Sequence, residues 1–546
     1  MRVTLIACLG VLTAVQALGQ VHRFGRFEQT FTAAHEYANP LKDVEITVEF
    51  SGPGNIKDEV RAFWDGGRTW KVRYTPEDTG TYSWKAKSSD TGDKALNSQS
   101  GKFTVGKYSG SNLLYQAGEP RLSFDRHYLV QQGGKPWFYL ADTAWNGALL
   151  STTDEWKRYL ADRAAKKFTA VQFVMTQWRA GPKDENGQVA FTGTNPIKIN
   201  PAFFQRMDGK ISAINDAGLI AVPVMLWALS SPAKESPGDS LPLEDAKLLA
   251  RYMAARYAGH RIIWMLGGDG DYTGANSERW RSIGEAVFPQ GRKRHLVGMH
   301  PRGMQAPWAN FAREGWLDIF FYQSGHGDGP LKWRWNATQG PAVDWRTEPF
   351  HPVIDAEPNY EGHLNYQTKK PITDKEVRRA AYYSLLAGPP AGVSYGAHGI
   401  WSWARKAEEP INHAGTGPAK PWQECLNYPG AQQMTVLYNV MSSIEWWRLR
   451  PERYLLRDDK FDEKTFAGYM MSALTDKADL GLLYLPDNLQ VHLNLSRFEG
   501  NAKSVVGTWV DPRTGKRSQA GKWRKDEQPT IKTPGIGDWL LILKTE

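Results

Sequence analysis

Two acids follow an apolar run in "RIIWMLGGDGDY", residues 261–272. Five apolar residues lead into Gly267 and Gly268, and Asp269 and Asp271 come next with one glycine between them. A second acidic run, "PVIDAEPNYEG", carries Asp355, Glu357 and Glu361. Two carboxyl groups facing each other over a sugar ring can split a glycosidic bond. One protonates the departing oxygen while the other attacks the ring or activates water. A separation of ~5 Å suits a retaining mechanism and ~6.5–9.5 Å an inverting one. Asp269 and Glu357 are the candidate pair. The proton donor needs a raised pKa, which apolar neighbours such as Trp264 or Trp227 could supply. Gly267 and Gly268 would let the backbone and a bulky sugar approach closely. Asp-Gly is also an ordinary turn pair. The spacing suits a calcium loop as well, but neither aspartate has a Glu at the twelfth loop position.

The elements that must position these acids are legible from periodicity. Eight near-continuous apolar runs, "WFYLAD", "TAVQFVM", "LIAVPVML", "IIWML", "HLVGMH", "DIFFYQ", "PVIDAE" and "GVSYG", read as strands covered on both faces. Helical patterns separate several of them. "TTDEWKRYLADRAAKK" has a Thr cap and a basic last turn, and "NPAFFQRMDGKISAINDAG" places Pro201 after Asn200. "PLEDAKLLARYMAARYAGH" and "TDKEVRRAAYYSLLAG" follow the same rule, and the sixth connection, "LKWRWNATQGPAVDWRTEPF", is the weakest helix. Eight alternating strands over residues 113–444 predict a (β/α)8 TIM barrel, the central unit of a multidomain chain.

Barrel chemistry sits at the carboxyl ends of the strands. That rule picks out Asp142 and Trp145 after strand one, Gln177 and Trp178 after strand two, and Trp227 after strand three. Asp269 and Asp271 follow strand four, and His300 strand five. Tyr322, Gln323 and His326 follow strand six, and Glu357, Tyr360 and Glu361 strand seven. Strand eight leads to Tyr395, His398, Trp401 and Trp403. Of these, Asp269 and Glu357 are the catalytic candidates. The substrate-binding candidates are Asp142, Trp145, Gln177, Trp227, Asp271, His300, Tyr322, Gln323, His326, Tyr360, Glu361, His398 and Trp401. Asp355 alternates to the other face and reads as a buried structural partner, while Glu361 would orient Glu357 or cap a turn. The three histidines come from separate strands without a metal-ligand motif and read as contacts to sugar hydroxyls, so neither a metal nor a cofactor is expected.

The flanks are β-rich. Residues 20–107 alternate at period two in "VEITVEF" and carry turn glycines at Gly66-Gly67 and Gly80, which predicts an immunoglobulin-like β-sandwich. Residues 445–546 return to short strands, a second β-sandwich. Residues 1–19 read as a secretory signal, one Arg before an apolar run ending in "ALG", too short to span a membrane. Cys8 comes too early in that run for a lipoprotein site, and Cys425 would stand alone after cleavage, so the exported chain has no internal disulfide. This favours a bacterial periplasm or secretion. The net charge of +9 suits either an acidic polymer as partner or plain solubility. The basic residues are scattered without a nucleic-acid motif. Tryptophan is abundant at 23 residues, mostly core material but also suited to stacking on sugars.

Taken in order, "LADTAW", "GGDGD", "MHPRG", "QSGHG", "EPNYEG" and "GAHGIWSW" resemble the apiosidase-like glycoside hydrolases, a barrel family typical of bacterial polysaccharide-utilisation systems. Residues 20–107 resemble an immunoglobulin-like domain that often precedes this barrel. The tail, with "WVDPRTGK", resembles a β-sandwich type named for collagen binding. The resemblance implies hydrolysis of plant pectin, releasing apiose-linked side chains from an acidic galacturonan backbone. It also implies that the family's acid/base aspartate falls on Asp269 and its nucleophilic glutamate on Glu357. Not all members share the N-terminal domain, which leaves the sugar open. Two other readings stand beside this one: a non-catalytic carbohydrate- or matrix-binding protein, and the same barrel acting on an arabinofuranoside or uronoside.

Overall fold

The computed structural model describes residues 21–230, 232–290, 294–457 and 461–546. The expected signal segment lies outside the described residues. Eight parallel strands close into a barrel: β1 (Tyr139–Thr143), β2 (Ala170–Val174), β3 (Ile220–Trp227), β4 (Ile263–Gly270), β5 (Leu296–Pro301), β6 (Ile319–Tyr322), β7 (Val353–Asp355) and β8 (Gly392–Gly396). Each pairs with the next, and β8 returns to β1 through five residue pairs, Tyr139–Gly392 to Thr143–Gly396. All eight predicted strands are therefore barrel staves. They are buried along almost their whole length, as a sheet wrapped by helices requires.

The helices start where the sequence marks them. Thr152 caps helix Thr153–Ala165, and Glu155 returns the bond to the Thr152 N–H at 2.8 Å. Asn200 caps Pro201–Asp216, and Glu376 takes the N–H of Thr373 ahead of Asp374–Ala387. The weak sixth connection is two short helices, Pro330–Thr338 and Gly340–Asp344, broken at Gln339.

On the N-terminal side, a five-stranded sheet and a three-stranded sheet pack around Phe27, Val48, Phe50 and Val72. In Ile46–Gly52 the residues Ile46, Val48 and Phe50 point inward while Thr47, Glu49 and Ser51 do not. Gly66 and Gly67 have φ of +109° and +50°, which the tight turn between Phe63–Gly66 and Thr69–Tyr74 needs. On the C-terminal side, a six-stranded antiparallel sheet packs with a two-stranded one around Leu483, Leu541, Leu543 and Trp509.

Both flanks are riveted to barrel helices by buried charge. Arg73 of the N-terminal sheets bonds Glu28 and Asp208, each at 2.7 Å, and Arg256 bonds Asp208 and Asp65 at 2.7–2.8 Å. Both guanidinium groups lie over the Phe63 ring. Burial alone would raise the pKa of Asp208, but the two arginines outweigh it and hold it below the usual value. On the other side, Arg378 of helix Asp374–Ala387 makes two bonds to Asp538, at 2.7 and 2.8 Å. Replacing Asp208 by Ala leaves two buried guanidinium groups short of a partner. It is expected to cost about 3–5 kcal/mol, read as a lowered unfolding temperature in calorimetry.

Candidate active site

The end of β4 is irregular. Its pairing with β5 slips between Met265 and Gly268 and again between Gly268 and Gly270, and Asp269 takes φ +48°. A bulge of this kind re-aims a side chain, here at a cost of about 1 kcal/mol for the left-handed backbone. The glycines serve a purpose different from the expected one. A Cβ on Gly267 would lie 2.5 Å from the Tyr272 hydroxyl, and one on Gly268 would lie 2.6 Å from the Trp227 ring. They admit the protein's own aromatic rings, and not a sugar.

Glu357 stands just past β7, buried at 7% exposure. Its Oε1 lies 3.0 Å from His326 Nε2, and its Oε2 lies 3.1 Å from His300 Nε2. The backbone N–H of Asp269 donates to His300 Nδ1 at 3.2 Å, which puts the ring proton on Nε2, the nitrogen nearest Glu357 Oε2. His300 therefore joins the two acids, through the backbone of one and the carboxylate of the other. Strands β4 and β7 are three steps apart around the barrel, separated by β5 and β6.

The environments drive the two acids apart. Burial raises Asp269 to about 6, and the charge of Glu357 adds to the shift. Burial also acts to raise Glu357, but contact with His300 and His326 overrides it and brings the group down to about 2. Between these values Asp269 keeps a proton while Glu357 is a carboxylate. This is the division of labour that acid-and-nucleophile chemistry requires.

Both acids line one cavity of about 310 Å3 at the carboxyl ends of the strands. Of the expected binding residues, Trp145, Trp227, Gln323, His326, Tyr360 and Trp401 line it too. Trp227 stands against Trp145 and Trp178, with ring centroids 5.4 and 4.4 Å away. His300 lies behind Glu357, where it supports the acid and does not itself form wall.

The remaining six candidates are occupied by the protein. Asp142 is wholly buried and bonded to Arg163 at 2.6 Å and Tyr159 at 2.7 Å. The Gln177 amide is spent on the backbone of Phe191 and Ala190. Asp271 accepts from the N–H and hydroxyl of Thr273, a local turn. The Tyr322 hydroxyl reaches Asn336 in the core. Glu361 does not touch Glu357. It accepts from Tyr395 and from the N–H of Gly430, at the start of helix Pro429–Ser442, and burial raises it to about 7. His398 has both ring nitrogens engaged, by Gly417 and Trp401, so it has none left for a hydroxyl. Each reads as a site residue by position after a strand, but its polar group is taken up within the protein and the residue does not line the cavity. Asp355 bonds Ser384 at 2.8 Å and is internal, as its alternation implies.

The cavity also holds residues that the strand-end rule did not single out: Arg179, His363, Tyr366, Asn412 and His413. Trp178, which the rule picks out after β2 but which is not among the binding candidates, lines it too. Asn412 and His413 lie in the long loop after β8, whose course no periodicity reports. A larger cleft, about 420 Å3, opens between the N-terminal sheets and helix Leu243–Arg256, but no barrel strand end reaches it.

A closed parallel eight-strand barrel with its polar cavity at the strand ends defines a TIM-barrel enzyme. A family model described as "Apiosidase-like, catalytic domain" matches residues 123–448, more than half of the chain. The chain belongs to that family and is a glycoside hydrolase, with carbohydrate as its substrate. Residues 20–89 match a domain of unknown function, DUF5060. Among solved structures, a glycoside hydrolase is 23% identical, with TM-score 0.68, 79% of this chain covered and 97% of that one. A family 5 glycoside hydrolase from Bacteroides vulgatus ATCC 8482 is also 23% identical, with TM-score 0.68 and 78% and 94% covered. A candidate glycoside hydrolase from the same strain is 18% identical, with TM-score 0.70 and 97% and 100% covered. No curated protein matches. The non-catalytic reading of the sequence therefore gives way to the enzymatic one.

Because Asp142 is bonded away from the cavity, Asp142→Asn is expected to lower the unfolding temperature while the KM of the folded enzyme stays unchanged. A raised KM with unchanged stability would return Asp142 to the substrate.

Proposed function

We propose that the chain is an exported hydrolase of an acidic, pectin-type polysaccharide that works by a retaining double displacement. In this reading Glu357 attacks the anomeric carbon and forms a glycosyl ester, while Asp269 protonates the departing oxygen. Asp269 then takes a proton from the water that cleaves the ester. The observation that carries the reading is the pair of acids lining one cavity, Asp269 held protonated to about 6 and Glu357 held ionised to about 2. The same coupling supports the second step. Esterification removes the charge of Glu357, one of the causes that raises Asp269, so Asp269, left as a carboxylate once it has protonated the departing oxygen, stays ionised and can act as base.

Trp227 Nε1, Gln323 Oε1 and His326 Nδ1 are among the buried atoms of the lining residues that make no hydrogen bond within the protein. Sugar hydroxyls both donate and accept, so they can satisfy all three. Arg179 in the wall and the net charge of +9 favour an anionic glycan. The Arg2-led apolar run supports export.

The test is hydrolysis of pectic oligosaccharides by Asp269→Asn and Glu357→Gln. Each variant should lose on the order of 10²–10⁴-fold in kcat while still folding. Full activity in either removes the assignment. In the wild type, kcat/KM should fall as pH rises through about 6, where Asp269 loses its proton. A profile flat from pH 5 to about 8 would mean another group is the acid.

A further inference from the structure

Pairing of β6 with β7 runs to Tyr322 and Asp355, and the two chains stay side by side beyond the strand ends. The Ala356 N–H donates to the Tyr322 carbonyl at 2.8 Å, and the Gly325 N–H donates to the Glu357 carbonyl at 3.0 Å. Between these rungs a side-chain oxygen stands in for a carbonyl. Asp355 Oδ1 accepts the Ser324 N–H at 3.2 Å and the Glu357 N–H at 3.3 Å. Its Oδ2 lies 2.8 Å from Ser384 Oγ on helix Asp374–Ala387. A further tie joins the same two loops, where Asn359 Nδ2 donates to the Gly327 carbonyl at 3.1 Å and Lys332 donates to Asn359 Oδ1.

The two N–H groups on Oδ1 belong to the chains on either side of one contact. Ser324 lies two residues before His326, whose Nε2 is 3.0 Å from Glu357 Oε1. Asp355 itself is buried and forms no part of the cavity wall, so it does not meet substrate. The titratable groups that face it are Lys332, Tyr322 and Tyr360. Those that face Glu357 are His300, His326, Asp269, Tyr360, Tyr366 and His413.

We infer that Asp355 is a positioning residue for the hydrolysis, its Oδ1 holding the Glu357 and Ser324 backbones together so that Glu357 stays seated against His326. The inference rests on Glu357 being the nucleophile, as proposed above. Without Oδ1, two buried N–H groups lose their acceptor at once, and the chain must move to find others. The nucleophile then loses its aim and one of its two imidazole contacts. Contact with His326 is among the causes that hold Glu357 down, so its loss lets burial push the acid up. Glu357 attacks only as a carboxylate, so on the acid side activity then fails at a higher pH than in the wild type.

The experiment compares Asp355→Leu, close in shape but without an acceptor, with Asp355→Asn, which keeps Oδ1, both in the full chain. Hydrolysis of pectic oligosaccharides is followed across the acid range, and the crystal structure of each variant reads the Glu357–His326 contact directly. Asp355→Leu is expected to lose ~100-fold in kcat with KM little changed. Its acid limb should move up by about 1 pH unit or more, and the contact should open. Asp355→Asn should recover kcat to within ~10-fold of the wild type, with the contact closed. A loss of folded enzyme alone scales kcat equally at every pH and leaves the limb in place. Asp355→Leu with an unmoved limb and a closed contact therefore overturns the inference, and so does Asp355→Asn as impaired as Asp355→Leu. If the leucine variant does not fold, Ser384→Ala, which frees Oδ2, takes its place with kcat lowered ~5-fold at unchanged KM. Wild-type kcat there overturns the inference. Full activity of Glu357→Gln, run alongside, removes the nucleophile reading and this inference with it. If the wild type cleaves none of these oligosaccharides, the pectin reading falls, and the contact in the variant structures still decides whether Asp355 holds Glu357.

Discussion

The carboxylate of Glu357 lies between two imidazoles, His326 Nε2 at 3.0 Å from one oxygen and His300 Nε2 at 3.1 Å from the other. Much of the cavity's chemistry depends on that clamp. Burial by itself would neutralise Glu357, and the two rings reverse the outcome. Once Glu357 is charged, its field adds to the burial of Asp269 and keeps that acid protonated. His300 then serves both ends, because its Nδ1 receives the Asp269 N–H. A single ring from β5 thus helps set the ionisation of one acid and receives the backbone N–H of the other.

Such a site is costly to hold. Asp269 sits at positive φ on a doubly slipped strand, and buried polar atoms of Trp227, Gln323 and His326 face the cavity without partners in the protein. The flanking sheets brace the staves that bear this strain. The Arg73–Asp208–Arg256 network grips helices Pro201–Asp216 and Leu243–Arg256, which lead into β3 and β4. On the far side the Arg378–Asp538 pair grips helix Asp374–Ala387, which follows β7. The outer units therefore hold the helices next to both acid-bearing strands, which gives them a mechanical role whether or not they bind glycan.

The eight staves and the caps at Thr152 and Asn200 were legible because buried parallel strands and helix starts are written in local composition. The polar residues at strand ends were legible as a set, but their roles were not. Asp142 and Glu361 resemble site acids in sequence, and Arg163 and Tyr395 claim them in space. Both partners lie twenty or more residues away, beyond the reach of any periodicity. Gly267 and Gly268 were rightly marked as points of close approach, but what approaches is Tyr272, Trp280 and Trp227.

The sequence alone determined the barrel, the order of its strands and the family motifs that single out Asp269 and Glu357. All of these follow from patterns repeated over a few residues or carried in short contiguous runs. Only the tertiary structure decided which strand-end side chains look into the mouth, that His300 and His326 split the two acids, and that a loop after β8 crosses to Arg179. These depend on contacts between segments up to more than two hundred residues apart, where packing and burial set direction and charge.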